Sequence, residues 1–450
     1  MLWLSAVLVT LAWGVGAFGS PYPWAYSPLV IASAALGVAG LWLGRTKSSS
    51  PLLIQLGFVL IALAVGAQMV PIPLSRLAAL SPHAGTILRQ QSLQFSMGQS
   101  PYHSLSIDSS RSQLGLAFFG AFALLLLGTA RVLRRETANR LAGALVILGV
   151  IVATVGIVQR ATFNGKIYGF WENVQHGLVF GPFVNRNHFA GWMLMVIPVG
   201  FGYFLAAASR GMDGRKPGLR NLLLWFSSEA ASRAMLTGFA ILVMALSLVL
   251  TMSRSGMLAL LAAMLVAGTM TARRQSGISH RAVTVGYLIF LLVAVVSWVG
   301  IDQIASRFAE ADLTSINERP AIWADTARIV KDFWLTGTGL NTYGVSTLFY
   351  QTSMPGQHLR EAHSDYLQLA AEGGLLLGIP IAITIVAFVR ALRQRVREDV
   401  GSIWWIRMGA ITGLIAIALQ SIVEFSLQMP GNAAMFAVIA GLAIHDGRRV

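Results

Sequence analysis

LAGALVILGVIVATVGIV, residues 141–158, carries no charged side chain and a single hydroxyl, and it is bounded by Arg140 before it and Arg160 shortly after. As a helix rising 1.5 Å per residue it nearly matches the ~30 Å hydrocarbon core of a bilayer, and a helix satisfies its own backbone polar groups there. Eleven further apolar runs lie near 3–19, 27–44, 52–72, 113–130, 189–208, 236–250, 256–271, 283–301, 366–389, 403–423 and 431–445. The whole 450-residue chain is 55% hydrophobic and only 11% charged, with a mean hydropathy of +0.67. Soluble domains carry roughly 25% charged residues, so an ordinary soluble enzyme is excluded. The expected fold is an all-α integral membrane protein, a polytopic bundle of about twelve transmembrane helices forming one domain over 1–450. Pro198 and Pro380 fall inside expected spans, where a kink beside a cavity is tolerated. The run 3–19 has no basic segment ahead of it and reads as an uncleaved first span rather than a signal peptide. Cysteine is absent, which removes disulfides and thiolate chemistry.

The net charge of +15 is a matter of placement. Loops on one side of the twelve spans hold 21 of the 33 basic residues and six of the 18 acids, whereas the other side balances 12 against 12. Under the positive-inside rule the basic side is cytoplasmic, with both termini there. This topological reading accounts for the charge without nucleic-acid binding. The connections on the opposite, periplasmic side are the large ones: 73–112, 159–188 and 302–365, the last lying between the ninth and tenth spans. No nucleotide motif is visible. The four lysines form no phosphate loop, and Gly337-Thr338-Gly339 with Gly344 lacks dinucleotide spacing. Chemistry on the outward face therefore needs a substrate that arrives already activated.

Three stretches carry candidate residues. In Phe183-Val184-Asn185-Arg186-Asn187-His188-Phe189, donors gather where the second outer loop enters the sixth span. Asn185 capping the helix and Arg186 reaching for the interface is the purely structural account. Arg254, in Ser253-Arg254-Ser255-Gly256, is the only charge in a very short hairpin, and it is either an interface anchor or a ligand-bound cation. In the last large loop, 319–334 starts with Pro320 near a helix start. Ile322, Trp323, Ala327, Val330, Phe333 and Trp334 share one face, so an amphipathic helix is expected there. Glu361-Ala362-His363-Ser364-Asp365-Tyr366 then leads into the tenth span. A neutral imidazole at His363 suits a general base. Capping, a metal site with Asp365, and a nucleophilic Ser364 are the competing roles. Several arginines at headgroup depth suit a lipid diphosphate, since guanidinium grips phosphate oxygens bidentately. A diphosphate is also a good leaving group once its charge is stabilised.

These stretches, with Arg319 through Gly339 and with Glu372, Gly374 and Gly378 after them, resemble the bacterial O-antigen ligase and O-antigen polymerase superfamily of integral-membrane glycosyltransferases. The resemblance runs over roughly 180–380. It implies a metal- and cofactor-independent glycosyltransferase of the bacterial inner membrane, facing the periplasm. The donor would be an undecaprenyl-diphosphate-linked glycan. The acceptor would be a hydroxyl of another glycan, of lipid A core or of a protein, and polysaccharide-assembly proteins could be partners. It further implies that His363, Arg254 and Arg319 are catalytic. Arg186, His188, Asn185, Asn187, Arg328, Asp365 and Tyr366 would contact substrate. Ten residues separate Arg328 from Gly339, a spacing found in polymerases, but ligase and polymerase stay unseparated. The rival class is a transporter or flippase of a lipid-linked or anionic glycan. Its mark would be ionisable residues at mid-membrane, where these spans are nearly uncharged.

Overall fold

A computed structural model describes residues 1–44, 52–172, 178–212, 227–274, 313–353 and 356–446. In chain order the helices are α1 (Leu2–Gly16), α2 (Pro23–Leu43), α3 (Leu52–Met69), the short α4 (Leu74–Leu80), α5 (Ala84–Gln91) and α6 (Leu93–Ser96), then α7 (Ser109–Val132), α8 (Arg135–Ala161), α9 (Arg186–Met212), α10 (Glu229–Leu250) and α11 (Arg254–Arg274). After these come α12 (Leu313–Asp332), α13 (Tyr343–Tyr350), α14 (Asp365–Glu398), α15 (Ser402–Gln420) and α16 (Pro430–Ile444). Among the described residues nine helices are long and apolar enough to cross a membrane, and the apolar α1 and α16 are shorter. Together they match eleven of the twelve expected spans. The run 283–301 lies outside the described residues.

The helix α9 is the axis of the bundle. Trp192, Met193, Leu194, Met195 and Val196 are fully buried, so this helix is apolar all round because protein rather than lipid surrounds it. It lies antiparallel against α15, and small residues let the backbones meet. A Cβ on Gly409 would stand 2.4 Å from the Pro198 carbonyl oxygen, and one on Gly413 would stand 2.7 Å from that of Met195. Close packing of this kind replaces the hydrophobic drive that lipid cannot supply. It brings the start of α9 beside the end of α15.

Basic residues collect at the opposite end of the bundle. Arg210 bonds Asn139 at 2.7 Å, and Arg135 reaches the Val400 carbonyl at 3.2 Å. Arg407, fully buried, pairs with Asp399 and donates to the Ala443 and His445 carbonyls, so its charge is compensated on every side.

At the end where α9 begins, the loops form a small folded cap. Strands β1 (Ile72–Pro73) and β2 (Tyr102–His103) pair antiparallel, as do β3 (Lys166–Ile167) and β4 (Trp171–Glu172). Leu77, Ile87 and Leu88 from the first loop share a core with Ile329, Phe333 and Tyr343 from the third. The amphipathic helix is present as α12, with two corrections. Pro320 lies inside it rather than near its start, because the helix already runs from Leu313. Its buried face is Ile322, Asp325, Thr326 and Ile329, with Phe333 buried just past its end, while Ala327 and Trp334 are exposed. The chain turns into the 334–339 loop after Asp332, which takes Trp334 off the helical face assumed for it.

That loop is bolted to α14, whose one residue outside helical geometry is Gly374 (φ 53°, ψ −155°), not Pro380. The break frees backbone groups that the loop then satisfies. Leu375 and Leu376 N–H donate to the Trp334 and Leu335 carbonyls at 2.8 and 2.9 Å, and Thr338 and Gly339 N–H donate to Ala371 and Glu372 at 3.0 Å. The Glu372 carboxylate caps the Asn341 and Tyr343 N–H groups at 2.7 and 3.0 Å. Gln68 of α3 donates to both the Thr336 and Glu372 carbonyls, at 2.7 and 2.9 Å.

Candidate functional site

The starts of α9, α11 and α14 and the turn after α15 converge beneath this cap, and their meeting point is Glu424. Its carboxylate, 1% exposed, pairs with Arg319 of α12. The same oxygen, Oε1, accepts the Asn187 side-chain N–H at 2.8 Å. Burial pushes the Glu424 carboxyl up, while Arg319, Asn187 and the Ser255 hydroxyl pull it down. One carboxylate thus gathers α9, α11 and α12. The backbone closes the fourth side, since Asp365 N–H at the start of α14 donates to the Ser421 and Glu424 carbonyls at 3.0 and 3.2 Å.

His363 is the residue before the cap of α14. Its backbone is left-handed (φ 50°), a conformation disfavoured for a residue with a Cβ and held here by bonds on both sides. Ala362 accepts from the Trp323 indole at 3.1 Å and donates to Gln368 Oε1 at 3.1 Å. Ser364 is the N-cap, its hydroxyl accepting from Leu367 N–H at 3.4 Å. Capping therefore belongs to Ser364 and leaves the His363 imidazole unengaged in it. The ring meets Phe425 edge-to-face with centroids 4.9 Å apart, and its Nδ1 is shut off from solvent without a hydrogen-bond partner. Burial first, then the positive charge of Arg319, lowers its pKa to about 4, so it is neutral at ordinary pH. Phe425 also meets His188, at 4.6 Å, so one phenyl ring separates two imidazoles.

The remaining candidates divide. Asn185 caps α9, its Oδ1 accepting from Asn187 N–H at 2.8 Å. Arg186 follows as the first residue of α9 and is partly exposed, as is Arg254, the first residue of α11. The two helix starts touch, since a Cβ on Gly256 would stand 2.9 Å from Ala190 Cβ. His188 is buried to 2% exposure with both ring nitrogens unpartnered, in the wall of the site rather than at its surface. Asp365 turns its Oδ2 onto Leu427 N–H at 3.3 Å, and the Tyr366 hydroxyl donates to the Ala418 carbonyl at 2.9 Å.

Arg328 is not brought to the cluster. Nine residues beyond Arg319, about two and a half turns, it lies on the opposite face of α12. There it pairs with Asp325 and bonds the Tyr350 carbonyl (2.7 Å) and Thr352 hydroxyl (3.0 Å), fastening the loop after α13. Sequence reasoning passed over Glu424 and Phe425. The signal was available for Glu424: it is a lone charge in the short connection Ser421–Met429, the same feature that singled out Arg254.

The family model described as O-antigen ligase matches residues 239–382, a segment holding Arg254, Arg319 and His363. No curated protein matches the chain. Residues 239–382 are thus an O-antigen ligase family segment, set in an all-α polytopic membrane protein and supporting the O-antigen ligase/polymerase superfamily for the chain. Asn187 and Glu424 lie outside the matched residues.

Proposed function

We propose that this membrane protein, whose family segment supports a glycan-transferring activity, transfers an oligo- or polysaccharide from undecaprenyl diphosphate to an acceptor hydroxyl at the periplasmic face. The observation that carries the reading is that consecutive residues of one turn hold Arg319 and His363, Glu424 pairing with the guanidinium and Phe425 meeting the imidazole, with the starts of α9 and α11 bringing Arg186 and Arg254 to the same end of the bundle. The guanidinium groups hold the diphosphate. With Nδ1 buried, His363 offers Nε2 to the acceptor hydroxyl and takes its proton. The acceptor oxygen bonds to the anomeric carbon as the carbon–oxygen bond to diphosphate breaks, and that electron pair leaves on the phosphate. Attack opposite the leaving group inverts the anomeric centre. No nucleotide or metal enters this scheme.

Charge complementarity gives the scheme an order. Burial weakens His363 as a base most, and Arg319 weakens it further; a bound diphosphate cancels the part due to Arg319 and makes the imidazole a stronger base once the donor is in place. Among the described residues the candidate polar groups sit together at one rim, which favours transfer over transport.

The test is reconstitution in lipid with an undecaprenyl-diphosphate-linked glycan, candidate acceptors and a chelator, without nucleotide. Wild-type protein should form product, identified by mass: a longer lipid-linked chain denotes a polymerase, and glycan on lipid A denotes a ligase. His363→Ala should lower the rate by about 10²–10⁴-fold, the usual contribution of general-base catalysis, while donor binding persists. Transfer by His363→Ala at the wild-type rate would sink the assignment.

A further inference from the structure

We infer that Glu424 is a positioning residue for this transfer. The inference rests on the glycosyl-transfer reading above and names a residue outside the matched family segment. A carboxylate among donor-binding cations looks counterproductive, because it competes with the substrate for the same guanidinium. Its bonds give it a different task. Arg319 has a long, rotamer-rich side chain whose ordering is costly, and it is anchored on α12, a helix of the cap rather than of the bundle core. The Glu424 carboxylate fixes that guanidinium from one side, and Asn187 Nδ2 fixes the carboxylate in turn at 2.8 Å. Asn187 is itself immobile, because its carbonyl accepts from the Gln420 amide at 3.1 Å and its N–H is capped by Asn185. A guanidinium has five donors, so pairing with one carboxylate oxygen leaves others to face a phosphate. Phe425, the next residue, sets the His363 ring from the same turn. Consecutive side chains of one rigid turn thus fix the cation that holds the leaving group and the base that activates the acceptor.

A positioning role separates from a binding role in the kinetics. Glu424→Gln keeps shape and one acceptor oxygen but removes the charge. With the guanidinium loosened and the site more cationic, the donor KM should stay within about 3-fold of wild type or fall. The kcat should drop by about 10–100-fold, the scale of a charge-assisted hydrogen bond. Glu424→Asp, which keeps the charge but shortens the reach, should recover part of the loss.

Thermal midpoints of the purified variants within a few degrees of wild type complete the expected result. Three outcomes overturn the inference: kcat of Glu424→Gln within about 2-fold of wild type, a loss confined to KM, or a fall in kcat that Asp does not relieve and that accompanies a lowered midpoint. If Glu424→Gln does not fold, Asn187→Ala decides, since it removes one bond to the carboxylate and leaves the ion pair. A fall in kcat of about 3–10-fold at unchanged donor KM supports the role, and wild-type kcat refutes it. Failure of the wild-type protein to transfer anything sinks the underlying reading. Wild-type transfer with an indifferent Glu424→Gln sinks this inference alone.

Discussion

At the scale of single residues, His363 makes the sharpest claim. A free imidazole would lose its base form below pH 6.5; burial and Arg319 move that loss to about pH 4. The acid limb of kcat/KM, which reports the free enzyme, should therefore lie near pH 4. The acid limb of kcat, which reports the donor-bound enzyme, should lie at higher pH, because bound diphosphate favours the protonated ring. Parallel pH–rate profiles with coincident limbs would contradict the coupling. Ser364, its neighbour, separates two chemistries. As a helix cap its loss in Ser364→Ala should cost about 1 kcal/mol of stability and leave transfer within a few-fold of wild type. Loss of transfer comparable to that of His363→Ala would instead point to a nucleophile. The sequence offered His363 and the arginines because titratable groups at apolar borders stand out locally. It did not offer their mutual arrangement, since Glu424 and Arg319 are 105 positions apart. Arg328 shows the complementary hazard, a spacing pattern satisfied by a residue occupied in fastening a loop.

At the scale of elements, periodicity and hydropathy were enough for the long helices, because lipid imposes a single solution on an apolar run of that length. The amphipathic α12 was legible in kind but not in phase. Its start and its buried face depend on what packs against it, namely the first loop through Leu77, Ile87 and Leu88, which no local pattern announces. The junction of the 334–339 loop with α14 was likewise invisible in the glycines alone. Gly337 has φ 67°, and a Cβ there would lie 2.0 Å from the Glu372 carbonyl oxygen. Gly337→Ala should accordingly lower the thermal midpoint of the purified protein, by about 2–4 kcal/mol in stability, through strain and a displaced backbone. A midpoint equal to that of wild type would show that the junction gives way without cost.

At the scale of the whole molecule, the claim is one of sidedness. Arginines 131, 134, 135, 210, 393 and 407 mark one end, and the site occupies the other. The chain has no cysteine, so a single introduced thiol reports its own compartment without background. In spheroplasts a membrane-impermeant maleimide should label Gln99→Cys, in the cap, and should reach Arg393→Cys only after the membrane is opened. The reverse pattern would place the site towards the cytosol, out of reach of a periplasmic acceptor.

The amide of Gln68 ties the third helix to backbone 268 and 304 positions further on. Evolution by exchange of gene fragments is constrained accordingly. A recombinant that inherited only 239–382 from this parent would receive the imidazole and two guanidiniums, yet would lack the clasp from α3, the amide of Asn187 and the acid of the final turn. Such hybrids should accumulate in the membrane as idle protein, and productive crossovers should instead move the molecule nearly entire.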